Sequence, residues 1–279
     1  MDLTSLKDTP PWEWPANAGE TLRKVLRDSR SATSDRIIAA DLAGSTTVMD
    51  DRMADLLLSI VQNADQPEQL RAKAAISLGP ALEEADTGEF DDGIGEPPVT
   101  RMEFQRIQES LRRTYIDDRM PKEVRRRVLE ASVRAPQDWR QDALRAAYSS
   151  DDEDWKLTAV FCMRWIRGFD EQILEMLESP NPDIHYEAVR AAGNWAVGAA
   201  WPHVAALIAS EATERSLLLA AIEATAGIRP REARALLAEL ADSEDEEIAE
   251  AASEAMLMAE PGFDEDPDLD EDEGEGFLR

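Results

Sequence analysis

Leu70-Arg71-Ala72-Lys73-Ala74-Ala75-Ile76-Ser77-Leu78-Gly79 places an aliphatic residue in register with small residues four and seven positions later. Those three positions share one face of an α-helix, and small side chains there let a neighbouring helix approach closely. The same spacing recurs from Val124 through Val128 to Ala131, from Trp155 through Ala159 to Cys162, and from Ile184 through Ala188 to Ala191. It returns from Leu217 through Ala221 to Ala224 and from Ile248 through Ala252 to Ala255, and a weaker copy runs from Arg36 through Ala40 to Ala43. From Val124 onward the starts are 31, 29, 33 and 31 residues apart. A period in that range is the signature of a stacked helical array.

Shorter amphipathic stretches lie between the copies: Asp51–Val61, Phe169–Leu177, Trp201–Ile208 and Ala233–Leu240. They read as the outer helices of two-helix units whose inner helices carry the small-residue face. Proline and capping acids or Asn gather where inner helices begin, as in Asp65-Gln66-Pro67, Asp151-Asp152-Glu153-Asp154 and Pro180-Asn181-Pro182-Asp183. No segment alternates as a strand does. The expected fold is all-α, with about seven helix pairs stacked as an α-solenoid, each burying its apolar face against its neighbours.

The aliphatic-Arg-x-x-Ala-Ala-x-Ser-Leu-Gly of residues 70 to 79 and the Pro-x-x-Val-Arg of Pro121 to Arg125 resemble HEAT repeats. The short period is similar to the subclass also found in phycobilin lyases. The resemblance covers residues 17–260 and implies a right-handed α-α superhelix offering a protein-binding surface. This chain departs from the pattern where the Arg after the aliphatic position becomes Lys156, His185, Leu218 or Ala249.

Around that array the sequence divides into a Trp/Pro-rich N-terminal segment, 1–16, a flexible acidic insertion at 86–99, and an acidic tail, 261–279. Pro10-Pro11-Trp12-Glu13-Trp14-Pro15 is expected to cover the exposed end of the first pair. Asp264 to Glu275 contains nine acids in twelve residues, and self-repulsion predicts disorder there. Its acids at calcium-loop positions do not make an EF-hand, because Leu269 replaces the required Gly and no helix follows.

Fifty-nine acids against thirty bases give a net charge of −29, which argues against nucleic acid and anionic membranes as partners. Twenty-five of the bases are Arg and only five are Lys, a bias that together with the acidity fits either a GC-rich genome or adaptation to high salt. Cys162 is the single cysteine, which excludes intramolecular disulfides and multi-thiolate zinc sites. There is no secretory signal and no run of about 18 apolar residues. A cytoplasmic monomer without cofactor or metal is expected.

Two clusters are candidate binding sites. Residues 101 to 145 carry twelve bases and eight acids, and Arg119, Lys122, Arg126 and Arg134 are placed on one side of the third inner helix. They read as an anion-docking face, as a solvated helix face, or as a face that pairs with the chain's own acidic tail. Arg164, His185, Tyr186, Arg190, Asn194 and Trp195 belong to the residue types that dominate binding hot spots, on inner helices that line the concave surface of a solenoid. They are the expected groove for a partner protein or peptide, with Trp155 and Trp165 divided between groove and packing. Catalytic patterns are missing: His185 and His203 are the only imidazoles, Cys162 occupies a packing position, and no nucleophile elbow, phosphate loop or HExxH occurs. The leading expectation is a non-catalytic interaction scaffold. The alternatives are a polyanion mimic that shields a basic client and, third, a lyase- or glycosylase-like enzyme or subunit.

Overall fold

A computed structural model describes residues 3–88 and 97–258, and within them every regular element is a helix. Most of the expected insertion and all of the expected acidic tail lie outside the described residues. Sixteen α-helices follow in order: α1 Leu3–Lys7, α2 Ala18–Arg27, α3 Thr33–Leu42, α4 Asp51–Gln62, α5 Glu68–Ile76, α6 Gly79–Thr87, α7 Arg101–Ile116 and α8 Lys122–Ser132. They continue as α9 Arg140–Tyr148, α10 Glu153–Cys162, α11 Asp170–Met176, α12 Pro182–Asn194, α13 Trp201–Ala209, α14 Arg215–Thr225, α15 Pro230–Leu240 and α16 Glu246–Met258.

The chain forms two compact units, Met1–Ile166 and Arg167–Arg279. In the first, α2 packs on α3, α4 on α5, α7 on α8 and α9 on α10, and the inner helices α3, α5, α8 and α10 stack in succession. In the second, the pairs are α11 with α12, α13 with α14 and α15 with α16, and α12, α14 and α16 stack in the same way. Each unit is an α-solenoid, and the pairs total seven. The packing residues of the repeat are the core: Leu70, Ala74, Val124, Val128, Ala131, Ala188, Ala191, Ala221 and Ala252 are all buried.

Polar groups fasten each pair. Arg36 donates from Nε to the Leu26 carbonyl at 3.2 Å, Arg71 to that of Val61 at 2.9 Å, and Arg125 to that of Tyr115 at 2.8 Å. Each reaches ten residues back to the end of its outer helix, where carbonyls lack intrahelical partners. Arg36 therefore occupies the same position as Arg71 and Arg125, and the first copy of the repeat begins at Asp35, one residue earlier than the sequence spacing placed it. Arg125 also lays its guanidinium over Tyr115 and Trp155, 5.6 and 5.8 Å from the ring centres.

Links between consecutive pairs use acids that also cap helices. Asp152 accepts from the Asp154 amide at the start of α10 and pairs with Lys122 of α8 at 2.8 Å. Asp245 accepts from the amides of Glu247 and Ile248 and pairs with Arg215 of α14 at 2.9 Å. The rung between α14 and α16 thus survives although Leu218 and Ala249 replace the Arg of the repeat.

Two local features differ from the expected pattern. The chain turns directly from α5 into α6, begun by Gly79-Pro80, and α6 packs on α7 and α8 where no separate helix was expected. At the N-terminus Leu6 of α1 enters the core, and the Trp14 indole donates to the carbonyls of Leu6 and Thr9 at 2.9 and 2.8 Å. Trp12, by contrast, is 79% exposed.

Candidate functional site

The basic residues on and around α8 do not form one open face. Arg119 grips Asp117 with both ends of its guanidinium at 2.9 and 3.0 Å within its own turn. Lys122 reaches Asp152 and Asp154 at 2.8 and 2.7 Å. Arg126 is only 4% exposed and lies between α8 and α10, donating to Thr158 at 2.9 Å and to Glu123 at 2.8 Å. Arg134 turns back to Glu83 of α6 at 3.1 Å, with its guanidinium 4.8 Å from the Trp165 ring. Each of these cations is paired with an acid of the chain, so an anion docking there would compete with internal pairing. One-dimensional spacing shows the local partners Asp117 and Glu123 but not the distant ones, Glu83 of α6 and Asp152 and Asp154 at the start of α10.

Arg126 belongs to a buried charge network. The Thr158 hydroxyl accepts from Arg126 and donates to Glu130 at 2.7 Å, and Arg127 holds the other Glu130 oxygen at 2.6 Å. For Arg127, burial pulls its pKa down, but Glu130 and Glu123 outweigh it and the guanidinium is held above its ordinary value. A satisfied network of this kind rigidifies the surface that it underlies.

That surface is a hollow of about 470 Å³ across α3, α5 and α8, lined by Ile37, Gln69, Ala72, Lys73, Ile76, Glu123 and Arg127. Its floor is apolar, from Ile37, Ala72 and Ile76. Its edges carry charges already fixed in pairs, Lys73 with Asp41 at 2.7 Å and Arg127 with Glu123 at 2.8 Å. None of these residues was a sequence candidate. The signal was available, because residues one before and two and six after Leu70 fall outside the face that Leu70, Ala74 and Ser77 share, with Lys73 at its edge.

The expected groove residues fall in both units. Arg164, in the first, stacks its guanidinium over Trp165 and Phe161 at 4.7 and 5.7 Å. In the second, Arg190 donates to the Tyr186 hydroxyl at 3.3 Å and lies 5.7 Å from that ring's centre. Trp195 is half-buried beneath Arg167, at 4.8 Å, and Asn194 is exposed. Arg–aromatic stacking therefore recurs, with Arg167 a participant that the sequence reading missed.

His185 behaves differently. It occupies the repeat position that Arg71 and Arg125 hold, but its Nε2 meets the Nε2 of His203 on α13 at 2.7 Å, and the rings cross at 73°. Glu178 faces the far side of His203, its Oε1 3.3 Å from Nδ1. Burial, then the His203 ring, holds His185 below the ordinary histidine range against the opposing pull of Glu178, so it is neutral at pH 7. The only two histidines in the chain thus meet across 18 residues of sequence.

No family model matches this chain, and no curated protein matches it. Solved structures do. YibA of Escherichia coli is 15% identical, with a TM-score of 0.45 over 88% of this chain and 84% of that one. Human deoxyhypusine hydroxylase in complex with glycerol is 17% identical, with a TM-score of 0.41 over 92% and 88%. A designed armadillo repeat protein is 12% identical, with a TM-score of 0.33 over 86% and 99%. Among the described residues no helix is long and apolar enough to cross a membrane.

Proposed function

We propose that this chain is a HEAT-like interaction scaffold that binds a partner protein or an extended peptide segment on its inner helices and performs no catalysis. The observation that carries the reading is the hollow on α3, α5 and α8: an apolar floor with a fixed, internally neutralised charged edge. Such an edge has lost its side-chain freedom before a partner arrives, which lowers the cost of association. An apolar centre with a polar rim is the ordinary anatomy of a protein-binding patch. The stacked Arg190–Tyr186 and Arg167–Trp195 pairs of the second unit supply residue types that serve as anchors.

The test is affinity capture from the source cells at physiological and high salt, using the full chain, a chain ending at 260, and the variants Lys73→Glu and Ile76→Gln, each checked for helicity. The scaffold reading expects a discrete partner that survives salt and tail removal and is lost from the hollow variants. A set of basic proteins that disappears with salt or with residues 261–279, and ignores Lys73→Glu and Ile76→Gln, would overturn it in favour of polyanion mimicry.

A further inference from the structure

His185 and His203 lie outside the hollow that carries the scaffold reading, and the separation of their ring nitrogens is that of a chelate. Two metal–nitrogen bonds of about 2.0 Å at a right angle place the nitrogens about 2.8 Å apart. The two Nε2 atoms lie 2.7 Å apart, His185 on α12 and His203 on α13. Glu178 facing Nδ1 favours the proton on that nitrogen, which leaves the His203 Nε2 lone pair directed at His185. A carboxylate behind a ligating imidazole is the usual way in which a metal-binding histidine is oriented and made more basic. Bringing both lone pairs onto one ion requires rotation of the rings about their last side-chain torsion, which is soft for histidine.

We infer that His185 and His203 form a two-histidine site for a divalent transition-metal ion that favours tetragonal nitrogen coordination, Cu²⁺ or Ni²⁺. The ion takes the place of the proton between the two Nε2 atoms, His185 carries its single ring proton on Nδ1 instead by exchange with solvent, and there is no net proton release and no electron transfer. Among the described residues no third His, Cys, Asp or Glu joins the pair, so water fills the remaining positions. Tetrahedral zinc needs nitrogens about 3.3 Å apart and a wider opening of the pair, which places Zn²⁺ below Cu²⁺ in affinity, as the general order of divalent ions does.

The test titrates the full chain with CuSO₄, NiCl₂ and ZnCl₂ and reads the Cu²⁺ form by electron paramagnetic resonance. With only two histidines, the imidazole region of a proton–carbon correlation spectrum reports on each directly. The expected result is one equivalent of Cu²⁺ with hyperfine splitting from two nitrogens, both imidazole signals perturbed together, and at least tenfold weaker binding in His203→Asn and in His185→Asn. Glu178→Gln is expected to weaken binding about tenfold, the lower end for a residue behind the ligand, because it is exposed. Copper held by oxygen alone, or wild-type affinity in the folded His203→Asn chain, would overturn the site. The wild-type spectra decide the question even where a variant fails to fold.

Discussion

Gly193 and Gly227 mark the tightest crossing in the second unit. A β-carbon on Gly193 would lie 2.6 Å from the Ala224 Cα, and one on Gly227 would lie 2.3 Å from the Gly193 carbonyl oxygen. The obstacles are backbone and cannot swing aside, so Gly193→Ala is expected to cost about 1–3 kcal/mol through overpacking, read as a lower denaturant midpoint at unchanged slope. Thr158 is a second residue with a definite role. Its hydroxyl relays between Arg126 and Glu130 and is fully buried. Thr158→Val keeps the volume and removes the relay, and about 1–3 kcal/mol should be lost, whereas Thr158→Ser should retain most of the stability. Equal effects of Val and Ser in chemical denaturation would show that the hydroxyl contributes nothing.

At the scale of the helix pair, stability comes from small-residue contacts supplemented by links that reuse capping residues. Asp245 caps α16 and pairs with Arg215, and this pairing holds its carboxyl at about 2, well below the usual range. Because the folded value is depressed, its contribution is complete above the unfolded value of about 3.8–3.9 and is lost as pH falls from there towards 2. Asp245→Asn preserves an N-cap and removes the ion pair. The variant should therefore be less stable than the parent at neutral pH and low salt, with the difference shrinking below pH 4 and in high salt. An unchanged difference at pH 2 would sink the assignment. The arginine clamps follow a different logic, since Arg71 is 4% exposed and its partner is a carbonyl. Arg71→Met should cost about 1.5–3 kcal/mol in a manner largely indifferent to salt.

For the molecule as a whole, the net charge of −29 opposes compaction, so rising ionic strength should raise the melting temperature by screening that repulsion. Removing residues 261–279 should reduce the salt dependence, measurable by calorimetry between low and molar NaCl. Stability indifferent to salt in both forms would remove the polyanion from the physics of the fold. The all-α class, the seven pairs and the placement of inner and outer helices were legible in the chain because a period near 31 residues and a 0, +4, +7 face are local regularities. Residues 79–87 escaped, since the repeat template ends at Gly79 and no further copy begins there, although Gly79-Pro80 opens α6 and proline is acceptable in a first helical turn. Which charges are spent on one another was settled only by packing: Arg134 with Glu83, Lys122 with Asp152 and His185 with His203 are 51, 30 and 18 residues apart. Periodicity along the chain specifies which face of a helix is buried, while the partner of a long polar side chain depends on the neighbour that stacking delivers.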